Sequence, residues 1–88
     1  MKESEIEREF VKAVRSKGGM AIKLVSPSMN GLPDRLAILP GGRCFFAELK
    51  TTGQKMRPIQ IKRTQQIKNL GFEVFCIDEI EKIKEVIA

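Results

Sequence analysis

Residues 34–50 read DRLAILPGGRCFFAELK, in which two strand-like runs flank Pro40-Gly41-Gly42. A short Pro- and Gly-containing connection between two such runs is typical of a β-hairpin. The sequence therefore predicts two antiparallel strands, at residues 34–39 and 43–50.

Alternation along the second predicted strand sends Glu48 and Lys50 out from the same face, at the strand's end. If the turn consists of the three residues of the connection, Leu39 pairs with Arg43. Counting back from that pair places Asp34 directly opposite Glu48.

This register brings two carboxylates together. Cross-strand neighbours have Cβ atoms about 4.5–5.5 Å apart, so Asp34 and Glu48 could hold one divalent cation. Without a metal they would repel each other and one pKa would rise, a conflict that Mg²⁺ or Mn²⁺ resolves. Lys50 would then orient a water molecule or stabilise charge at phosphorus. The alternatives are a strand-end ion pair for Glu48 and Lys50, and a turn role for Asp34.

The flanking sequence predicts an α/β domain that comprises residues 1–88. Apolar periodicity, Gly and Pro punctuation and strand-forming runs define the elements around the hairpin. The order is helix, three strands, helix, strand, helix, with a mixed sheet. The additional elements are a helix at 4–17, a strand at 20–25, a helix at 58–70 starting at Pro58, a strand at 72–77, and a last helix capped by Asp78 that carries Ile80, Ile83 and Ile87.

Charge is distributed unevenly along this chain of net charge +5. Residues 50–68 include basic side chains and no acidic ones. Such a segment suits a polyanion, because each phosphate that it neutralises releases counterions. The alternative is a solvated helix face.

Several residue types are absent. The chain has no His, Tyr or Trp, which excludes His-metal nucleases, Ser-His triads and tyrosine nucleophiles. The lack of an aromatic stacking platform favours duplex DNA over single strands. Cys44 and Cys76 are expected to be buried free thiols. No run resembles a membrane span or a signal peptide, so we expect a cytoplasmic protein with no membrane partner.

The motif residues resemble a known family. Pro33-Asp34, a gap of thirteen residues and Glu48-Leu49-Lys50 are similar to the PD-(D/E)xK signature of restriction-enzyme-like nucleases. Further segments resemble, in order and over nearly the whole chain, the phage-type VRR-NUC domain. These segments are Gly31-Leu32-Pro33-Asp34-Arg35, Pro40-Gly41-Gly42, Ala47-Glu48-Leu49-Lys50, Arg57-Pro58-Ile59-Gln60 and Gly71-Phe72.

The resemblance implies a restriction-endonuclease-like core of the kind found in archaeal Holliday-junction resolvases. It implies that Asp34, Glu48 and the Leu49 carbonyl are metal ligands and that Lys50 is the catalytic lysine. Gln60, on the helix after the motif strand, would accompany the active site. The alternative for Gln60 is an exposed helix glutamine.

The resemblance also implies a catalytic, metal-binding glutamate on the first helix. Glu7 is our choice over Glu3 and Glu5, because Glu7-Arg8-Glu9-Phe10 resembles the resolvase pattern. The alternative for Glu7 is a capping box with Ser4.

One departure from the family concerns the loop before Pro33. Relatives usually carry basic residues there, whereas this chain has Met29-Asn30. We therefore expect the DNA contacts to be made by Lys23, Ser26, Lys55 and Arg57.

Together these features predict a Mg²⁺- or Mn²⁺-dependent endonuclease for branched DNA such as Holliday junctions. A homodimer in a bacterial or phage-infected cell is expected, since a chain this small would need a twofold partner to offer paired cuts. The alternatives are a non-catalytic nucleic-acid-binding module and a nuclease for flaps, linear ends or RNA.

Overall fold

A computed structural model describes all 88 residues. The order of elements is the predicted one, helix, three strands, helix, strand, helix. Their bounds are α1 Glu3–Ser16, β1 Met20–Lys23, β2 Arg35–Leu39, β3 Arg43–Leu49, α2 Pro58–Asn69, β4 Val74–Ile77 and α3 Ile80–Ile87.

The four strands form one mixed sheet in the order β1-β2-β3-β4. The first three are antiparallel, and β4 runs parallel to β3. Gly41 and Gly42 close the β2–β3 turn with φ of 86° and 83°, a region that side chains with a Cβ disfavour. Leu39 pairs with Arg43, which confirms the predicted register.

Helices α1 and α3 cover one face of the sheet, and the hydrophobic core lies beneath them. Phe45 is fully buried there, with its ring 6.2 Å from that of Phe10 and 5.4 Å from that of Phe75, both in edge-to-face geometry. The core cluster comprises Ile6, Phe10, Val14, Ala37, Leu39, Phe45, Ala47, Leu49, Ile77, Ile83 and Val86.

Helix α2 lies on the opposite face, which also carries the side chains of Phe46 and Glu48. It buries Gln60, Thr64 and Ile67. Two of these three side chains are polar, so this interface is less apolar than the core. The alternation of β3 therefore sends Phe45, Ala47 and Leu49 into the core and Glu48 toward α2.

Neither of the two helix caps that the sequence suggested is present. Helix α1 begins at Glu3, so no Ser4–Glu7 capping box forms; instead the Glu5 carboxylate accepts the backbone N–H of Lys2 at 3.1 Å. Glu79 is the N-cap residue of α3. The carboxylate of Asp78, the predicted cap, instead accepts the backbone N–H of Gly53.

Smaller expectations concern element ends, cysteines and membranes. Strand β4 begins at Val74 rather than at residue 72, and β1 ends at Lys23 rather than at residue 25. Cys44 and Cys76 are free thiols, as predicted, although both are only half-buried. No helix combines the length and apolarity that crossing a bilayer would require.

Candidate active site

A polar cavity of about 380 Å³ opens where β2 begins and β3 ends. No apolar side chain lines it, in contrast to the core on the other side of the sheet. Its lining residues are Glu3, Asp34, Glu48, Lys50, Gln54, Lys55, Arg57 and Gln60.

Asp34 lies at the open end of the β2–β3 hairpin and is held there by two hydrogen bonds from backbone N–H groups. Its Oδ2 accepts the N–H of Leu49 at 2.8 Å, and its carbonyl accepts the N–H of Leu24 at 2.9 Å. Since Arg35 pairs with Ala47, the register continues to Asp34 opposite Glu48, as the sequence predicted.

Gly31 allows the loop that carries Asp34 to pack against the start of α2. Its φ is +80°, and a Cβ at this position would lie 2.6 Å from the carbonyl oxygen of Ile59. Only glycine meets both conditions without displacing backbone. The close approach brings the loop and Gln60 to the same cavity.

Glu48 and Lys50 are almost completely buried, with 2% and 8% of their surface exposed. Lys50 Nζ lies 3.3 Å from Glu48 Oε2, whereas Glu48 Oε1 is buried without a hydrogen-bond partner. Burial, and next the charge of Asp34, raise the pKa of Glu48 to about 7, while Lys50 opposes that rise. The ionised form of Glu48 is therefore energetically unfavourable in this site.

The loop after β3 forms the far wall of the cavity and is tied to two distant segments. Thr51 Oγ1 accepts the N–H of Glu3 at 3.1 Å, which holds the start of α1 against this loop. On the other side, the Asp78 carboxylate accepts the N–H of Gly53 at 3.1 Å. These contacts place Glu3 and Lys55 at the cavity.

Gln60 is buried rather than exposed, which rules out the alternative of a solvent-exposed helix glutamine. Its Oε1 accepts the backbone N–H of Arg57 at 2.8 Å, so the carboxamide both caps α2 and lines the cavity. Because the oxygen is engaged by the backbone, the amide nitrogen is the group available to a ligand.

The structure places Glu7, the glutamate chosen from the first helix, outside the cavity. The Glu7 carboxylate lies 2.8 Å from Nε of Arg35, in a groove distinct from the cavity. Glu3, one of the two other candidates, lines the cavity. The cause is the position along the helix: Glu3 lies in the first turn, where its N–H donates to Thr51, whereas Glu7 lies one turn further on, about 6 Å along the axis, next to Arg35.

The expected DNA contacts divide into two groups. Lys55 and Arg57 line the cavity. Lys23 lies outside it, as the cross-strand partner of Arg35, and Ser26 is half-buried in the loop between β1 and β2. Gln54, which also lines the cavity, was not predicted, because its position depends on a turn in which its N–H binds the Thr51 carbonyl.

Known proteins resemble the chain in sequence and in structure. A protein named "Putative nuclease p44", from Acyrthosiphon pisum secondary endosymbiont phage 1, is 41% identical over 78 residues, which cover 89% of this chain and 84% of that protein. A solved structure described as a "VRR_NUC domain" superposes with a TM-score of 0.89 and 27% identity, over 97% of this chain and 92% of that one. No protein-family model matches.

The chain belongs to the VRR-NUC family. The structural similarity confirms the restriction-endonuclease-like α/β fold with its mixed sheet. Because the structural similarity extends over nearly all of both chains, the strands that position the polar cavity belong to the shared fold.

The polar cavity is lined by oxygen ligands of the kind that a hard divalent cation prefers. No group of three or more His, Cys, Asp or Glu side chains is placed to hold a metal. Mg²⁺, however, typically takes one or two carboxylates and retains several waters. Asp34 and Glu48 supply two carboxylates, and the unpartnered Oε1 of Glu48 is a buried acceptor that a cation would satisfy.

The raised pKa of Glu48 predicts how stability depends on pH when metal is chelated. Between pH 4.5 and about 7 the folded state retains a proton that the unfolded state releases, so folding stability falls as pH rises through this window. Glu48→Gln removes this titration. We expect the variant to gain about 1–2 kcal/mol over the wild type at pH 8, or roughly 5–15 °C in Tm, and little at pH 5.

Thermal unfolding in EDTA at several pH values measures this effect. The difference in Tm between Glu48→Gln and the wild type should grow with pH. A difference in Tm that stays constant from pH 5 to pH 8 would show that the folded structure does not raise the pKa of Glu48.

Proposed function

We propose that this VRR-NUC nuclease is a Mg²⁺- or Mn²⁺-dependent endonuclease that hydrolyses phosphodiester bonds in branched duplex DNA such as four-way junctions. The observation that carries the proposal is the convergence of Asp34, Glu48 and Lys50 in one polar cavity with a basic rim. The likeness to a phage protein named as a nuclease supports the same activity class.

In this proposal Asp34, Glu48 and the Leu49 carbonyl hold the cation, with Glu3 beside them. When bound, the ion polarises a phosphate oxygen and acidifies a water molecule. The Leu49 peptide is already anchored at the site, because its N–H donates to Asp34. One short segment of β3 therefore provides both a carboxylate and a carbonyl ligand.

Lys50 and Gln60 act on the phosphate and the attacking water. Lys50 keeps its ammonium group beside Glu48 in a nearly closed site, where a positive charge stabilises negative charge that develops at phosphorus. The Gln60 amide nitrogen can donate to a phosphate oxygen or to the water. Both side chains are buried, so they are held in place before the substrate binds.

Duplex DNA is the proposed partner. Lys55 and Arg57 form the cavity rim, and both are exposed, as phosphate contacts should be. Contacts of this kind read the backbone and its shape rather than base sequence. No aromatic side chain lines the cavity to stack an unpaired base.

A homodimer suits a branched substrate. The chain measures 31 × 30 × 22 Å and presents one such cavity, so one copy cannot make paired cuts across two crossing duplexes. A twofold dimer would present two cavities with matching orientation. We place this activity in the cytoplasm of a bacterial or phage-infected cell.

The substrate and metal requirements are tested with a synthetic four-way junction, compared with linear duplex, a flap and a single strand. We expect cutting of the junction with Mg²⁺ or Mn²⁺, weaker cutting of linear duplex, and none in EDTA. Product lengths on denaturing gels report the reaction. Binding that survives EDTA, with no metal-dependent cutting of any substrate, would identify a non-catalytic DNA-binding module.

Lys50→Ala tests the catalytic lysine. The variant should lose about 10²–10³-fold in cutting rate, since it removes a preorganised charge from the reaction centre. Junction binding in EDTA should change by less than about threefold, because Lys55 and Arg57 still contact the backbone. A Lys50→Ala protein that is folded and cuts at the wild-type rate would refute the role given to this residue.

Glu3→Gln and Glu7→Gln form a matched pair on the same helix. Because Glu3 lines the cavity and Glu7 does not, Glu3→Gln should raise the Mg²⁺ concentration needed for half-maximal cutting. Glu7→Gln should leave that concentration unchanged. Metal titrations of the cutting rate give both values, and the reverse outcome would restore Glu7 as the site glutamate.

A further inference from the structure

A second concave surface lies on the outer flank of α1, next to the start of β2. It has a volume of about 450 Å³, and we call it the α1 groove. It is lined by Ser4, Glu7, Arg8, Val11, Lys12, Arg15 and Arg35. None of these residues lines the polar cavity that contains Asp34 and Glu48.

The α1 groove is strongly basic. Four of its seven lining residues carry positive charge, and Glu7 is the one acid among them. Arg8, Lys12 and Arg15 are spaced by four and three residues, which places them on one side of α1, and all three are exposed. At 1.5 Å per residue this row is about 10 Å long.

Arg35 forms the floor of the groove and is held rigidly. Its Nε donates to Glu7 at 2.8 Å and its Nη1 donates to the carbonyl of Ala21 at 3.1 Å. A guanidinium has five N–H donors, so three are left for a ligand. A planar donor that is already fixed recognises phosphate with little loss of conformational entropy. Glu7 therefore orients the arginine and does not simply cancel its charge.

The α1 groove and the cavity are lined by sequence neighbours. Arg35 lines the groove and Asp34 the cavity, while Ser4 lines the groove and Glu3 the cavity. Because successive residues of a strand point to opposite faces, the groove lies on the α1 side of the sheet end at which the cavity opens. From Glu3 to Arg15 the helix rises about 18 Å. That length corresponds to about five base pairs of duplex at 3.4 Å each.

We propose that the α1 groove binds the phosphate backbone of a duplex arm about five base pairs from the bond that is cut. The inference rests on the proposed function, because it assumes that DNA occupies the cavity. Lys23, the exposed cross-strand partner of Arg35, extends the same basic surface.

Charge complementarity favours DNA over a second copy of the chain. Pairing two α1 grooves would bring like charges together, which is costly, and Val11 is the single apolar residue available to offset that cost. A polyanion instead gains from every cation in the row through counterion release.

The test compares two double variants that remove the same charge. Lys12→Gln with Arg15→Gln alters the groove, whereas Lys82→Gln with Lys84→Gln removes two lysines of α3 that line neither the groove nor the cavity. Fluorescence anisotropy in EDTA measures binding to junctions with arms of about twelve base pairs, and to junctions whose arms are about four base pairs closed by hairpin loops. Thermal unfolding checks that each variant is folded.

We expect the groove variant to bind the long-armed junction about tenfold more weakly, with the slope of log K against log salt reduced by about 2. The short-armed junction, which does not reach Lys12 and Arg15, should bind within about twofold of the wild type. The control variant should follow the wild type on both junctions.

Three results would overturn the proposal: equal losses in the two double variants, an unchanged salt slope in the groove variant, or a change of oligomeric state in the groove variant on gel filtration. Its failure is distinct from failure of the proposed function. If the wild-type protein cuts junctions and the groove variant binds them as tightly as the wild type, the proposed role of the α1 groove is refuted and the endonuclease proposal stands. A wild-type protein that binds long arms through the groove but never cuts refutes the endonuclease.

Discussion

The opposition of Asp34 and Glu48 across the β2–β3 hairpin is the constraint on which the rest of the site depends. Two carboxylates are held together where one is almost fully buried, and the pKa of Glu48 rises to about 7 as a result. The neighbouring Lys50 relieves only part of this strain, because one Glu48 oxygen remains without a partner. A protein keeps such an arrangement only if the surrounding structure determines it, and a cation would convert the strain into binding energy.

Much of the fold serves to maintain that opposition. The glycine turn sets the register of the hairpin, and the Leu49 N–H holds the Asp34 carboxylate. Gly31 brings the loop before Asp34 against α2, and the core beneath Phe45 keeps β3 fixed from the other face. The sheet thereby separates two environments: an apolar side that supplies stability and a polar side where chemistry can occur.

The parts of this arrangement that were predictable from sequence are those set by local rules. The Pro-Gly-Gly connection and the two-residue period of a strand were sufficient to place Asp34, Glu48 and Lys50 together. Contacts between distant segments were not predictable: Asp78 looked like a helix cap, yet its carboxylate binds the N–H of Gly53. The location of Gln54 follows from the same loop and left no signal in the sequence.

The first-helix glutamate shows what periodicity leaves open. Glu3 precedes Phe10 and Val14 by seven and eleven residues and Glu7 precedes them by three and seven, so both lie on or beside the sheet-facing stripe of α1. Since the stripe's apolar residues pack over the sheet, its first member extends past the core to the strand ends, where the cavity lies.

Glu7 lies on the same side of α1 as Glu3 but one turn further along, about 6 Å, and its carboxylate there binds Arg35. One helix thus contributes to the core, the cavity and a basic flank. A motif match alone could not choose between Glu3 and Glu7, because the choice depends on which turn of α1 lies level with the strand ends.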